Sequence, residues 1–427
     1  MDLTPHVTRP PRESRRPRRL LGLAATVVAT LGLLLGGTGL AAAAPTTAAA
    51  SATSANAPAR WVATWGAAPA TAVDNQCRDC TIRNVVHLTE GGDTVRATFS
   101  NEFGTAPLVI GSATVAVSAT GSTPQALPNT MRGLLFTGAS FVTVPAGQRV
   151  TSDPVRLTVP GDHDLLVTTF TPGYRTAMTY HPYGAQDSFF ARGADVSHAT
   201  DAVAFPEKTQ SWHFLTGVDV KRVSGGAVVT FGDSITDGVG SQTDLNHRWP
   251  NFLAGRLAQE PTHLTVVDTA ISGNRILLGS TGDFGPSALS RFNRDVLSRT
   301  GVRSVVILEG INDIQQEPHE ADPTKITAGL QTLVDRAHAK GLKVVVGTLT
   351  SWKGWGAWTE QLEATRAAVN AWVRTNPSID AVADFDAVTR DPANPLQMLP
   401  AYDSGDHLHP NDTGYAAMGN AVPIWAL

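Results

Sequence analysis

Apolar residues follow two rhythms along this chain. From Trp61 to about Gly225 they alternate with polar neighbours, as in Val95, Ala97 and Phe99 and again in Val155, Leu157 and Val159. Further strand-like runs cover Leu108 to Val117, Ser140 to Val144 and Leu165 to Phe170, and no capped segment of helical length with a 3.6-residue period interrupts them. Period two buries one face of each strand, so this half is predicted to be an antiparallel β-sandwich.

From Ala227 onward the rhythm changes. Runs rich in Val and Ile, at Ala227 to Phe231, Leu264 to Thr269, Ser304 to Leu308, Lys343 to Leu349 and Ile379 to Phe385, read as strands buried on both faces. Between them lie helical patterns. One, from Thr324 or Lys325 to Lys340, sets Ile326, Leu330, Leu333, Val334 and Ala337 on one face, with Pro323 at its start and Gly341 beyond its end. Others run from about Trp249 to Gln259, Pro286 to Ser298, Thr359 to Thr375 and Asn411 to Ala421. The β-then-α order implies a parallel sheet covered by helices on both faces, an α/β domain. In such sheets ligands bind beyond the carboxyl ends of the strands.

Composition and charge refine this picture. With 427 residues, 42% hydrophobic and 16% charged, the chain is too apolar to be disordered and long enough for two domains. Its net charge of −4 conceals an asymmetry. Residues 1–44 carry six Arg (Arg9, Arg12, Arg15, Arg16, Arg18 and Arg19) and two acids, then an apolar stretch from Leu20 to Ala44. That layout is expected of an export signal, with Ala41 to Ala44 offering a cleavage site; the alternative is a transmembrane anchor, which Gly36, Gly37 and Gly39 disfavour. Ser14-Arg15-Arg16 hints at twin-arginine export. Removing the segment leaves 27 basic against 35 acidic residues, a charge of about −8, which argues against nucleic acid as a partner.

The expected organisation is therefore a signal peptide over 1–44, an Ala/Thr/Ser-rich tether over 45–60, a β-sandwich over 61–225 and an α/β domain over 226–427, in a secreted protein without stable membrane insertion after cleavage. The only cysteines, Cys77 and Cys80, are spaced C-x-x-C, and in an exported protein a local disulfide is expected. A zinc site would need two more soft ligands, and only His87 is near in sequence.

Chemistry gathers at the predicted strand ends. The first runs into Gly232-Asp233-Ser234-Ile235-Thr236-Asp237-Gly238, which puts the Ser234 hydroxyl at the sheet's carboxyl edge beside free backbone amides; an ordinary turn has the same composition. Near the C-terminus stands Asp406-His407-Leu408-His409-Pro410-Asn411. Asp406, three residues ahead of His409, can hold one ring nitrogen and leave the other to take a proton from serine. A metal site on the two histidines is the alternative, with no third soft ligand at the usual spacing, and His407 reads as structural or exposed. The second strand ends at Ala270-Ile271-Ser272-Gly273-Asn274-Arg275 and the third at Glu309-Gly310-Ile311-Asn312-Asp313. The amides of Ser234 and Gly273 and the side chain of Asn312 could supply three donors to an oxyanion, although singly Gly273 could be a turn and Asn312 a helix cap. Random turns would not place all of these at successive ends of one sheet.

These segments resemble the signature blocks of the SGNH hydrolases, also called the GDSL esterase and lipase family. Gly232-Asp233-Ser234 resembles the first block, with Ile235 in place of leucine, and Gly273, Asn312 and Asp406-x-x-His409 resemble the second, third and fifth. The resemblance spans Ala227 to the C-terminus. It implies a three-layer flavodoxin-like fold and hydrolysis of carboxylic esters without cofactor or metal. It also implies Ser234 as nucleophile and oxyanion donor, Gly273 and Asn312 as donors, His409 as base and Asp406 as its orienting partner. The β-rich half more loosely resembles a sandwich found ahead of this domain in some secreted bacterial members. No G-x-S-x-G elbow of the α/β-hydrolase kind occurs in the mature chain.

The resemblance implies a small ester or an acylated carbohydrate as substrate. Within the family, a carbohydrate O-deacetylase or a lipase are alternatives; outside it, the chain could be a carbohydrate- or surface-binding protein with a degenerate hydrolase domain. The loop Leu277 to Pro286 either borders the pocket or merely connects. Trp352, Trp355 and Trp358 either line an acyl or sugar site or pack into the core.

Overall fold

Strand-forming alternation in the first half is realised as antiparallel sheets throughout. The structure, a computed structural model, describes residues 58–427 except 75–77, 174–176 and 281. The expected export signal, nearly all of the tether, and Cys77 with its expected bridge to Cys80 lie outside the described residues.

One sheet is ordered Arg60–Gly66, Leu215–Arg222, Gly92–Ser100, Val155–Val159, with Arg149–Thr151 also paired to Gly92–Ser100. A second is ordered Glu207–Thr209, Ser188–Arg192, Cys80–Leu88, His163–Thr171, Ser112–Val117, Arg132–Gly133. Val95, Ala97, Phe99 and Val218 from the first and Ile82, Val86, Val115 and Val167 from the second share one core, as the alternation requires. A three-stranded sheet of Thr71–Val73, Met178–His181 and Trp212–His213 lies beside them.

The single strand expected from Leu108 to Val117 is instead two, Leu108–Ile110 and Ser112–Val117, in different sheets. Gly111 separates them, its amide donating to Phe170 O at 2.9 Å.

The second half is a parallel sheet of five strands: β1 (Ala227–Gly232), β2 (Thr265–Asp268), β3 (Val302–Leu308), β4 (Lys343–Gly347) and β5 (Ala381–Ala383). Their order, β2-β1-β3-β4-β5, is that of flavodoxin-like folds. Chain direction across the sheet reverses between β1 and β3, so the segments that follow these two strands diverge and leave a crevice at their carboxyl ends.

Around the sheet are α1 (Ser234–Asp237), α2 (Trp249–Leu257), α3 (Ala288–Phe292), α4 (Ile311–Gln315), α5 (Pro323–Ala339), α6 (Glu360–Thr375), α7 (Phe385–Thr389) and α8 (Asp412–Ala421). Asp322, Thr359 and Asn411 cap α5, α6 and α8 through their side chains. The helix expected from Pro286 to Ser298 begins as α3 and widens into a π turn at Asn293–Leu297. The fifth strand is shorter than its apolar run, because Asp384 caps α7 and Phe385 already belongs to that helix.

The halves are joined through more than the short segment 224–226. Val62 and Ala63 of the first strand pack in the core of the parallel sheet. Thr265 Oγ1 donates to Ala63 O at 2.6 Å, and Arg299 donates to Thr216 O and Ala67 O at 2.6 and 3.2 Å. Among the described residues no helix is long and apolar enough to cross a membrane.

Candidate active site

The turn after β1 is built for close approach. A Cβ on Gly232 would stand 2.2 Å from Thr236 Oγ1 and 2.7 Å from Leu308 O, so α1 can start only because this position is bare. Asp233 caps that helix, Oδ1 accepting from Ile235 N at 3.0 Å, and Gly238, at φ 98°, ends it. Ser234 is thereby held at the first helical position, and its amide has no acceptor among the described residues.

His409 reaches this serine from the far end of the chain. Its Nε2 lies 2.8 Å from Ser234 Oγ and its Nδ1 2.6 Å from Asp406 Oδ2. Asp406 Oδ1 accepts the amides of Leu408 and His409 at 2.9 and 2.8 Å, so the carboxylate organises the turn and orients the ring with it. Partners set the tautomer: Nδ1–H donates to Asp406 and Nε2 accepts the serine hydroxyl. Partial burial would raise the Asp406 carboxyl, but the imidazole and the two amides outweigh it and hold the group well below the usual carboxylate range. Ser234 and His409 are both buried. His407 is half-exposed, with Nδ1 on Asp403 at 2.7 Å, while His409 uses both ring nitrogens on Asp406 and Ser234.

Gly273, after β2, and Asn312, after β3, are joined through the side chain of Gln316. Asn312 Nδ2 donates to Asn274 O at 3.0 Å, and Gln316 Nε2 to Gly273 O at 2.9 Å. Asn312 Oδ1 accepts from Gln315 Nε2 and Gln316 Nε2 at 2.7 and 3.1 Å, which fixes the amide's orientation. Asn312 is in the first turn of α4, after Gly310, and not its cap. The Gly273 amide, like that of Ser234, has no acceptor among the described residues. At φ 76° the glycine adopts a conformation that a side chain would strain, and a Cβ there would stand 2.2 Å from the Phe284 ring. The loop Leu277 to Pro286 therefore does border the site. Asn274 Nδ2 ties it down through Phe284 O and Pro286 O at 2.7 and 2.8 Å.

The three tryptophans divide. Trp352 is fully buried and donates to Glu363 at 2.9 Å, a core residue. Trp355 faces the site, its ring 6.2 Å from that of His409, with Nε1 donating to Gln315 Oε1 at 2.9 Å. Trp358 packs at the edge of the same core, with Lys353 4.8 Å from its ring.

Beneath the site are charges that no period or motif in the sequence announced. Arg291, wholly buried, donates to Gly232 O at 3.0 Å, Thr269 O at 2.6 Å, Asn274 Oδ1 at 2.8 Å and Glu309 Oε1 at 3.1 Å. One guanidinium thus links the ends of three strands. Asp313 accepts from the amides of Ile276 and Leu277 at 2.7 and 3.0 Å and braces the Gly273 segment from α4. Asp233 Oδ2 and Glu309 Oε2 are buried with no partner among the described residues. Burial pushes the Asp233 carboxyl up to about 7 and Glu309 well above the usual range, the charge of Asp233 adding to the latter shift.

The family model described as GDSL-like Lipase/Acylhydrolase family matches residues 230–417. Among solved structures the chain is similar to an M. smegmatis aryl esterase in its inhibitor-bound form, at 17% identity over 46% of this chain and 96% of that one, with a TM-score of 0.38. It is also similar to a GDSL-like lipase from Bacteroides thetaiotaomicron VPI-5482, at 20% identity over 47% and 87%, with a TM-score of 0.35. An acetyl xylan esterase is similar at 19% identity over 47% and 98%, with a TM-score of 0.35. No curated protein matches the chain. The family match takes in Ser234, Gly273, Asn312 and the Asp406–His409 pair, and residues 230–417 form a GDSL-like lipase/acylhydrolase domain, the family of carboxylic ester hydrolases also called SGNH hydrolases.

Proposed function

We propose that the protein is a secreted serine esterase that cleaves small esters or acylated carbohydrates through an acyl-enzyme. The observation that carries this reading is the unbroken line from Asp406 through His409 to Ser234, with contacts of 2.6 and 2.8 Å. His409 Nε2 takes the Ser234 proton as Oγ attacks the acyl carbon. The carbonyl oxygen becomes an oxyanion held by the amides of Ser234 and Gly273 and by Asn312 Nδ2. Collapse breaks the bond to the alcohol oxygen, which receives the proton from His409. Water, deprotonated by His409, then attacks the acyl-enzyme, and the proton returns to Ser234 as the carboxylic acid leaves. Asp406 stays ionised throughout and stabilises the imidazolium.

Export is supported by the arginine-rich segment and the apolar stretch that follows it. A binding protein with a decayed hydrolase domain would have no need of a serine already hydrogen-bonded to an oriented imidazole. The test is hydrolysis of 4-nitrophenyl esters of rising acyl length, beside an acetylated polysaccharide, by wild type and Ser234→Ala. Release by wild type and a loss of several orders of magnitude in the folded variant are expected. Equal turnover by the two would sink the assignment, and the preferred acyl length separates esterase, deacetylase and lipase.

A further inference from the structure

Among the side chains that the β-rich half sends into the hydrolase half, His181 reaches α1, the helix that begins with Ser234. His181 ends the strand Met178–His181 and is buried, as is its partner Asp237, the last residue of α1. Its Nε2 lies 3.0 Å from Asp237 Oδ1 and 2.6 Å from Tyr183 O, and its Nδ1 2.9 Å from Ala68 O. Every atom facing the two ring nitrogens is an oxygen acceptor, so both nitrogens carry hydrogen and the ring is an imidazolium. Burial alone would lower its pKa, but the Asp237 carboxylate and the two carbonyls outweigh that and raise it.

Asp237 passes this constraint on. Its second oxygen, Oδ2, accepts from Ser272 N at 2.9 Å and Ser272 Oγ at 2.7 Å. Ser272 precedes Gly273, and the peptide between them carries the Gly273 N–H. One carboxylate therefore fastens the helix that begins with Ser234 to the residue that aims the second oxyanion donor. Without a cation opposite, Asp237 would be a buried charge with only neutral donors.

We propose that His181 is a positioning residue of the oxyanion hole, contributed by the β-rich half and acting through Asp237 on the Ser272–Gly273 peptide. The proposal rests on the esterase reading above. It gives the N-terminal half a part in catalysis that needs no substrate contact. An oxyanion donor matters in the transition state and not in the ground state, so its displacement lowers kcat and leaves KM nearly unchanged.

The test is a double-mutant cycle on 4-nitrophenyl acetate with wild type, His181→Gln, Ser272→Ala and the double variant, each normalised to serines titrated by an organophosphonate. We expect each single substitution to lower kcat by about tenfold, with KM changed by less than about twofold, and the double to fall no further than the worse single. A purely structural role would leave kcat per titrated serine intact. The proposal is overturned if both single variants keep kcat within about twofold of wild type, if KM carries the loss, or if the two losses multiply. Should His181→Gln not unfold cooperatively, Asp237→Asn takes its place in the cycle under the same criteria. An inactive wild type, or an active Ser234→Ala, defeats the esterase reading itself; an active wild type with a silent Ser234→Ala and an unaffected cycle defeats only this inference.

Discussion

Trp355 meets His409 edge to face, with ring centroids 6.2 Å apart and planes at 86°. The same indole donates to Gln315, whose amide in turn donates to Asn312 Oδ1. A single side chain thus supports His409 and, through one intermediary, Asn312. An aromatic contact and a hydrogen bond of this kind contribute about 1 kcal/mol each, so Trp355→Ala should lower kcat/KM by about tenfold or somewhat more. Trp355→Phe keeps a ring but loses the bond to Gln315 and should fall between. Steady-state kinetics on one ester would check this, and an alanine variant as active as wild type would refute it.

Gly273→Ala should be far more damaging than its size suggests. The new Cβ would lie 2.2 Å from the Phe284 ring on a backbone at φ 76°. Relief requires moving the loop or rotating the peptide that carries the Gly273 amide, and displacing an oxyanion donor, the role proposed for it, costs about 10²-fold in kcat. Adding Phe284→Ala removes the clash but not the backbone strain, so the double variant should recover only part of the loss. Full recovery would show that the clash alone was responsible.

Stability should depend on pH through Asp233. Its folded pKa of about 7 lies above the unfolded value of about 3.9, so the folded state holds the proton more tightly. Stability contributed by this group therefore falls as pH rises from about 4 to about 7 and is constant above that. Asp233→Asn keeps an oxygen for the Ile235 amide and removes the ionisation. Its Tm relative to wild type should be higher at pH 8 than at pH 5. Calorimetry at the two values would read the difference, and a pH-independent offset would rule the carboxyl out as its source.

Arg291→Met should destabilise the fold by about 3–5 kcal/mol in urea unfolding, because it leaves Asp295 and Glu309 buried with less compensation and frees the carbonyls of Gly232 and Thr269. A loss below about 1 kcal/mol would mean that the pocket rehydrates or its acids protonate at little cost.

Much of this was legible along the chain, and for a local reason. Periods of two and 3.6 residues report which face of an element is buried, so the two halves and the long helices α5 and α6 follow from side-chain pattern with small boundary shifts. Ser234, Asp406 and His409 stand in short segments whose turns depend on nearby residues: Asp233 caps α1 and Asp406 closes the turn to His409. The one-turn helices α1, α4 and α7 escaped the pattern because a period cannot show itself in four or five residues.

Sequence by itself determined which residue types stand at which strand ends, Ser234, Gly273 and Asn312 among them, and that Asp406 stands three residues before His409. Tertiary structure decided what supports them. His181 lies 56 residues from Asp237, and Glu309 lies 18 from Arg291. A lone histidine in a strand or an arginine in a short helix looks the same in sequence whether it is solvated or buried. Only folding removes the water, and a charge without water must find an opposite charge or hydrogen-bond partner, which here fixes the geometry around Ser234.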